Sequence, residues 1–243
     1  MPDDSAPPGH GGPGPALVLW DVDHTLIRIG GGVSRALYEH AFREVTGRPL
    51  VALADMAGRT DRAITLETLR LNAVDRPERL LGGFYAALAE AAEALAGRMR
   101  EVGEVLPGAR EAVAAFAGRR AVQTAVTGNL RPVALAKLTA LGMTGTVDLT
   151  VGGYGDDGSD RADLVRRARA RAAGKYGFGF PGRRTIVIGD TPHDIRGAHD
   201  AGAFAVGVAT GNTPAGALQA AGADIVLPSL TEHALLAHAV DGD

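Results

Sequence analysis

Leu17-Val18-Leu19-Trp20-Asp21-Val22-Asp23-His24-Thr25-Leu26 decides how this chain is read. An apolar run climbs to an Asp, skips one residue and presents a second Asp. Read as a buried strand, Leu17 to Trp20 delivers Asp21 to the strand's carboxyl end. In an extended chain residues i and i+2 point to the same side, so Asp21 and Asp23 look into one site. Two carboxylates at the mouth of a sheet suit cation binding, nucleophilic attack or acid/base work. Asp-x-Asp pairs also occur in turns and helix caps, so the meaning of this one depends on what the rest of the chain brings to it.

The remainder brings strands and helices in alternation. Ala121 to Val126 is an apolar strand ending at Thr127-Gly128-Asn129, and Val147 to Val151 is a further strand. Thr185 to Gly189 is a β-branched strand ending at Asp190-Thr191-Pro192-His193-Asp194. Phe204 to Val208 and Ile225 to Leu227 are two short strands more. Helices are expected over Ala109 to Ala117, Arg131 to Leu141, Asp160 to Ala173, His193 to Ala201, Ala215 to Ala221 and Leu230 to Val240. Such alternation implies an α/β fold with a doubly wound parallel sheet, whose ligands bind beyond the carboxyl ends of the strands. Asp21/Asp23, Thr127 and Asp190/Asp194 all end strands there.

Residues 30–104 break the alternation. They carry helical spacing from Val33 to Val45, from Arg62 to Leu71 behind a Thr60 or Asp61 cap, and from Leu80 to Arg100, with no strand signal. An all-helical insert of this kind reads as a cap. The expected organisation is a disordered Pro/Gly-rich leader over 1–15, a core over 16–29 and 105–243, and a helical cap over 30–104.

Composition bounds the function. The chain has 243 residues, 46% hydrophobic, with a formal net charge of −3. There is no basic excess for nucleic acid and no apolar run of the ~20 residues needed to span a membrane. Cysteine is absent, which excludes disulfides, thiolate catalysis and Cys-based zinc sites and agrees with a reducing cytoplasm. Lysine occurs only at 137 and 175.

In order and placement, Asp21-Val-Asp23-His-Thr25-Leu26, Thr127-Gly-Asn129 and Gly189-Asp190-Thr191-Pro-His-Asp194 resemble the first, second and fourth motifs of the haloacid dehalogenase-like hydrolases. The helical insert, with Gly58-Arg59-Thr60-Asp61, resembles the cap of the phosphoglycolate phosphatase-like branch. The resemblance implies a Rossmann-like core and a Mg²⁺-dependent phosphatase acting on a small phosphorylated metabolite. Asp21 is then the nucleophile that forms an aspartyl-phosphate, and Asp23 the general acid and base. Mg²⁺ ligands come from the Asp21 carboxylate, the Asp23 main-chain carbonyl and Asp190, with Asp194 in support. Thr127, Gly128 and Asn129 hold the phosphate.

The third motif of that family usually carries a lysine. By position Arg161 takes its electrostatic role, and the rival Lys137, placed roughly 13–15 Å from the phosphate end by helical rise, is read as a solvated helix residue. His24 stands where the family commonly has Gly and either faces substrate or packs beside the site. Arg59 either meets a substrate carboxylate or phosphate or is solvated. A sugar phosphomutase with the same Asp pair is the alternative activity, and a non-catalytic binding protein a more distant one. The oligomeric state, monomer or homodimer, is left open.

Overall fold

The computed structural model describes residues 14–117, 119–237 and 239; most of the expected 1–15 leader and the end of the expected 230–240 helix lie outside them. Five strands form a parallel sheet: β1 (Ala16–Trp20), β4 (Ala121–Ala125), β5 (Thr185–Gly189), β6 (Phe204–Val208) and β7 (Ile225–Leu227). Their spatial order is β4-β1-β5-β6-β7. The chain leaves β1 to one side for β4 and returns to its other side for β5. The order therefore reverses beside β1, where open α/β sheets hold their ligands.

Both faces of the sheet are covered, so its strands are apolar without alternation. One face packs Val18, Trp20, Ile186 and Val206 under α5 (Ala109–Ala117), α6 (Arg131–Ala140) and the 3₁₀ turns of Leu230–Leu236. The other packs Leu17, Leu19, Val187 and Ala205 under α7 (Arg161–Tyr176), α8 (Pro192–Asp200) and α9 (Ala215–Ala220). The buried Trp20 indole donates from Nε1 to Gln123 Oε1 at 3.0 Å, and Gln123 Nε2 donates to Val113 O at 3.0 Å. This chain satisfies a polar pair that would otherwise cost about 1–3 kcal/mol per orphaned group.

Two sequence expectations need correction. Val147–Val151 is not a strand. The Asp148 carboxylate accepts from Thr150 N and Thr150 Oγ1, and Leu149 N turns back to Val147 O, so local bonds displace the ladder. The segment is joined to β4 by single bonds, Asp148 N to Gln123 O and Thr124 Oγ1 to Asp148 O, and by an isolated bridge between Val126 and Gly153. Its apolar side chains are nonetheless buried. Residues 30–104 also do not lack strand: Gly103–Val105 (β3) pairs antiparallel with Ile27–Ile29 (β2). This ribbon joins the core to the insert at its root. Three residues per strand is too short for a periodicity to register in the sequence.

Between the ribbon strands lie α1 (Val33–Thr46), α2 (Asp61–Leu71), α3 (Leu81–Ala94) and α4 (Ala96–Val102). Tyr38, Phe42, Ile64, Leu69, Phe84 and Leu88 form their apolar core, which also takes in Val133 from α6 and Leu130 just before it. Thr60 caps α2 by accepting from Ala63 N. The insert touches the core through backbone: Asp61 N donates to Gly128 O at 2.6 Å and Arg62 N to Gly155 O at 3.3 Å. A Cβ on Gly128 would lie 2.0 Å from Arg59 O, so the close approach requires glycine there. Among the described residues no helix is long and apolar enough to cross a membrane.

Candidate active site

Parallel register sets the site. Trp20 lies level with Ala125 on one side and Ile188 on the other, and Asp21 N donates to Ile188 O at 2.8 Å. The next residues of β1, β4 and β5 therefore emerge side by side into a cavity of about 300 Å³. The cavity is roofed by the insert's Met56–Asp61 loop.

Asp21, Asp190 and Asp194 each place a carboxylate oxygen within 4.8 Å of the others, and all three residues are buried. Asp194 reaches the cluster because α8 begins with a capping box: Thr191 Oγ1 accepts from Asp194 N, and Asp194 Oδ2 accepts from Thr191 N. Its Oδ1 has no hydrogen-bond donor. That oxygen lies 3.2 Å from Arg161 Nε, an ion pair too poorly aligned to be a hydrogen bond. Arg161 Nη1 donates to Asp21 Oδ1 at 3.3 Å and to Val126 O at 3.2 Å. Arg161 thus comes from the first turn of α7 into the acid cluster, where the sequence position placed it.

Burial raises the Asp21 carboxyl well above the ordinary range, and Asp194, Asp190 and Asp23 raise it further against the opposing pull of Arg161. Burial and Asp194 likewise push Asp190 up to about 7. Acids crowded this closely suit a cation. The donors are all oxygen and one of them, Asp194 Oδ1, accepts no hydrogen bond, which fits a hard divalent ion.

Asp23 is turned away from this cluster. Both its oxygens accept from Lys137 Nζ, at 2.9 and 2.7 Å, and Oδ2 also accepts from Asn129 Nδ2 at 2.6 Å. Burial alone would raise its carboxyl; the Lys137 ammonium and the Asn129 amide outweigh that and hold it below the usual range. Lys137 is only 3% exposed, so its reading as a solvated helix residue is overturned. Counting backbone rise left out the side chain, which in a helix leans toward the N-terminus and here carries Nζ back to Asn129 Oδ1 at 2.8 Å. Thr127 Oγ1 accepts from Asn129 N and Nδ2, which folds the Thr127-Gly128-Asn129 turn beneath the insert.

His24 lines the cavity with φ 62, a left-handed backbone that favours glycine. Its N donates to Ile27 O at 2.7 Å, and its O accepts from Thr210 Oγ1 at 2.6 Å. Arg59 also lines the cavity, but its Nη1 is held by Glu67 Oε2 at 2.5 Å and Asp55 O at 3.1 Å. The sequence reading assigned Asp61 only a capping position. It is buried in the cavity wall, with Oδ2 accepting from Leu130 N at 2.6 Å and Oδ1 from Tyr38 OH at 2.8 Å. Asn212 and Thr213 also line the cavity and carried no signal that sequence spacing could reveal.

Comparison with known proteins agrees with this geometry. The chain is 26% identical over 240 residues to a probable phosphatase, IndB, of Dickeya dadantii (strain 3937), covering 92% of this chain and 94% of that one. Its fold is similar to that of a hydrolase from Pseudomonas syringae, with TM-score 0.60, 24% identity and coverage of 91% and 98%. It is also similar to a haloacid dehalogenase family hydrolase from Deinococcus radiodurans R1 with bound phosphate and sodium, with TM-score 0.52, 22% identity and coverage of 94% and 97%. The family model of haloacid dehalogenase-like hydrolases matches residues 18–199, and the chain belongs to that family.

Proposed function

We propose that this protein is a phosphatase that hydrolyses a small phosphorylated metabolite through an aspartyl-phosphate on Asp21. The observation that carries the reading is the buried cluster of Asp21, Asp190 and Asp194, with Arg161 laid against Asp21 beside a cavity. The phosphatase name of the Dickeya relative and the phosphate in the Deinococcus structure point the same way. Asp21, Asp190, Asp194 and the Asp23 carbonyl would hold Mg²⁺. Once bound, that ion supplies positive charge against the repulsion between a carboxylate nucleophile and a phosphate dianion.

The chain's own groups carry the steps. An Asp21 oxygen bonds to phosphorus as the bond to the leaving oxygen breaks, and Arg161, with the Thr127 hydroxyl and the Gly128 and Asn129 amides, receives the charge on the phosphoryl oxygens. Asp23 gives its proton to the departing alcohol. In the second step it takes a proton from water as the water oxygen bonds to phosphorus and the bond to Asp21 breaks. Lys137 and Asn129 hold Asp23 ionised, the form the second step uses. Before the first step Asp23 takes up a proton from solvent, which the charge of the arriving phosphate favours, and leaves Lys137 as the neutral acid. Residues 30–104 act as the cap, excluding water during the first step.

The test is phosphate release from an aryl phosphate with added Mg²⁺. Wild type turns over, and Asp21→Asn loses at least about 10³-fold in kcat with its fold intact. Normal turnover by Asp21→Asn would remove the nucleophile.

A further inference from the structure

The Thr127–Asn129 turn, assigned above to the phosphate, is itself held by the insert. Asp61 grips it at both ends: its N donates to Gly128 O at 2.6 Å, and its Oδ2 accepts from Leu130 N at 2.6 Å. The other oxygen, Oδ1, accepts from Tyr38 OH at 2.8 Å, which ties the carboxylate to α1. No side chain of the core caps α6 at Leu130; the carboxylate that meets this amide comes from the insert. Beside Asp61, Arg62 N donates to Gly155 O at 3.3 Å, and Gly155 N donates to Asn129 O at 2.8 Å. These backbones meet without slack, since a Cβ on Gly155 would lie 1.9 Å from Gly128 O and 2.9 Å from Asp61 N. Asp61, Thr127 and Asn129 are all buried, which leaves little room for water to take over the bonds.

The same turn reaches the acid and base of the reaction. Asn129 Oδ1 accepts from Lys137 Nζ at 2.8 Å, and Asn129 Nδ2 donates to Asp23 Oδ2 at 2.6 Å. A shift of residues 128–130 therefore moves the amides assigned to the phosphate together with the group that holds Asp23. Resting on the phosphatase reading, we infer that Asp61 is a positioning residue, through which the insert sets the phosphate-holding turn as well as excluding water. Both its oxygens are taken by protein donors, so it acts through the turn and not on the substrate. The site is complete only while the insert is docked, and turnover of even a simple aryl ester depends on Asp61.

The test uses 4-nitrophenyl phosphate with Mg²⁺, inorganic phosphate as competing inhibitor, and rates expressed per folded molecule, the folded fraction being taken from urea unfolding. Asp61→Ala should lower kcat by about 10²-fold, the cost of misplacing a site by about 1 Å, and weaken inhibition by phosphate by at least about tenfold. Asp61→Asn keeps an acceptor for Leu130 N and loses only the charge that roughly doubles such a bond, so its kcat should stay within about tenfold of wild type. Asp61→Glu keeps the charge and both acceptors but sets them one methylene further out, and should still lose at least about tenfold in kcat; it decides the matter if Asp61→Ala does not fold. A purely structural Asp61 would lower the folded fraction and leave kcat per folded molecule and phosphate inhibition at wild-type values, which would overturn the assignment. Slower turnover with unchanged phosphate inhibition would overturn it too, because the insert would then act only by shutting out water. In both cases the phosphatase reading would survive. Failure of wild type to release phosphate would refute that reading, and this inference with it.

Discussion

Gly211→Ala separates the geometry of the acid cluster from the stability of the fold. A Cβ built on Gly211 lies 1.8 Å from Asp190 Oδ2 and 2.9 Å from its Cγ. Real Cβ contacts essentially never fall below 3.0 Å, so Asp190 must retreat by about 1.2 Å, the difference between 3.0 and 1.8. Gly211 has no positive φ that alanine would violate, so the cost is that of overpacking beside the buried Asp190 and His24 Cβ at 3.2 Å, about 1–3 kcal/mol. The cluster cannot absorb the shift, because its three oxygens lie within 4.8 Å of one another. Misplacing a reacting group by about 1 Å costs on the order of 10²-fold. The expected result is a loss of at most about 3 kcal/mol in urea unfolding, with phosphate release by the folded protein lowered by about 10²-fold and a higher Mg²⁺ concentration needed for half-maximal rate. Gly216→Ala, whose Cβ meets nothing within 4 Å, is the matched control and should leave both unchanged. Full activity in Gly211→Ala would show that Asp190 is not held where the reasoning requires.

Lys137→Met removes the partner of Asp23 inside the protein. Breaking a buried ion pair costs about 3–5 kcal/mol; Asp23 keeps 32% side-chain exposure, so a loss of about 1–3 kcal/mol in urea unfolding is expected, and one below about 0.5 would show that the pair contributes nothing to stability. Saturating Mg²⁺, at about 100 times its dissociation constant, should stabilise the wild type by about 2.7 kcal/mol in thermal melts, and Asp190→Asn should lose most of that gain. Asp148 pairs with Lys175, Thr150 and Tyr176. Although partial burial opposes it, these bonds hold its carboxyl below the usual range. A depressed folded value means stability present above the unfolded value near 4 and lost as pH falls through the folded one. Wild type should exceed Asp148→Asn by about 1 kcal/mol at pH 7 and converge with it in strong acid, and a gap that widens below pH 4 would reverse the sign.

Asp21, Thr127 and Asp190 were legible because each follows closely on a strand. An apolar run fixes where a strand stops, parallel register aligns the stops, and Asp21, Thr127 and Asp190 follow. Arg161 was legible as the first residue of a helix opening onto the same edge. Less could be read wherever side-chain bonds outweigh pattern. Val147–Val151 looks like a strand and is bent by Asp148. The β2–β3 ribbon is too short to show a period. Lys137 looks solvated because sequence spacing measures distance along a helix, not where a long side chain ends.

What this sequence determined by itself was the alternation of buried strands and helices and the acids at their ends, because hydrophobic periodicity and chain direction are local properties. Only tertiary structure decided how the charged groups lining the cavity are paired. Ion pairing across 114 residues, from Lys137 to Asp23, and the docking of Asp61 on Leu130 depend on which elements meet, and no local spacing encodes that.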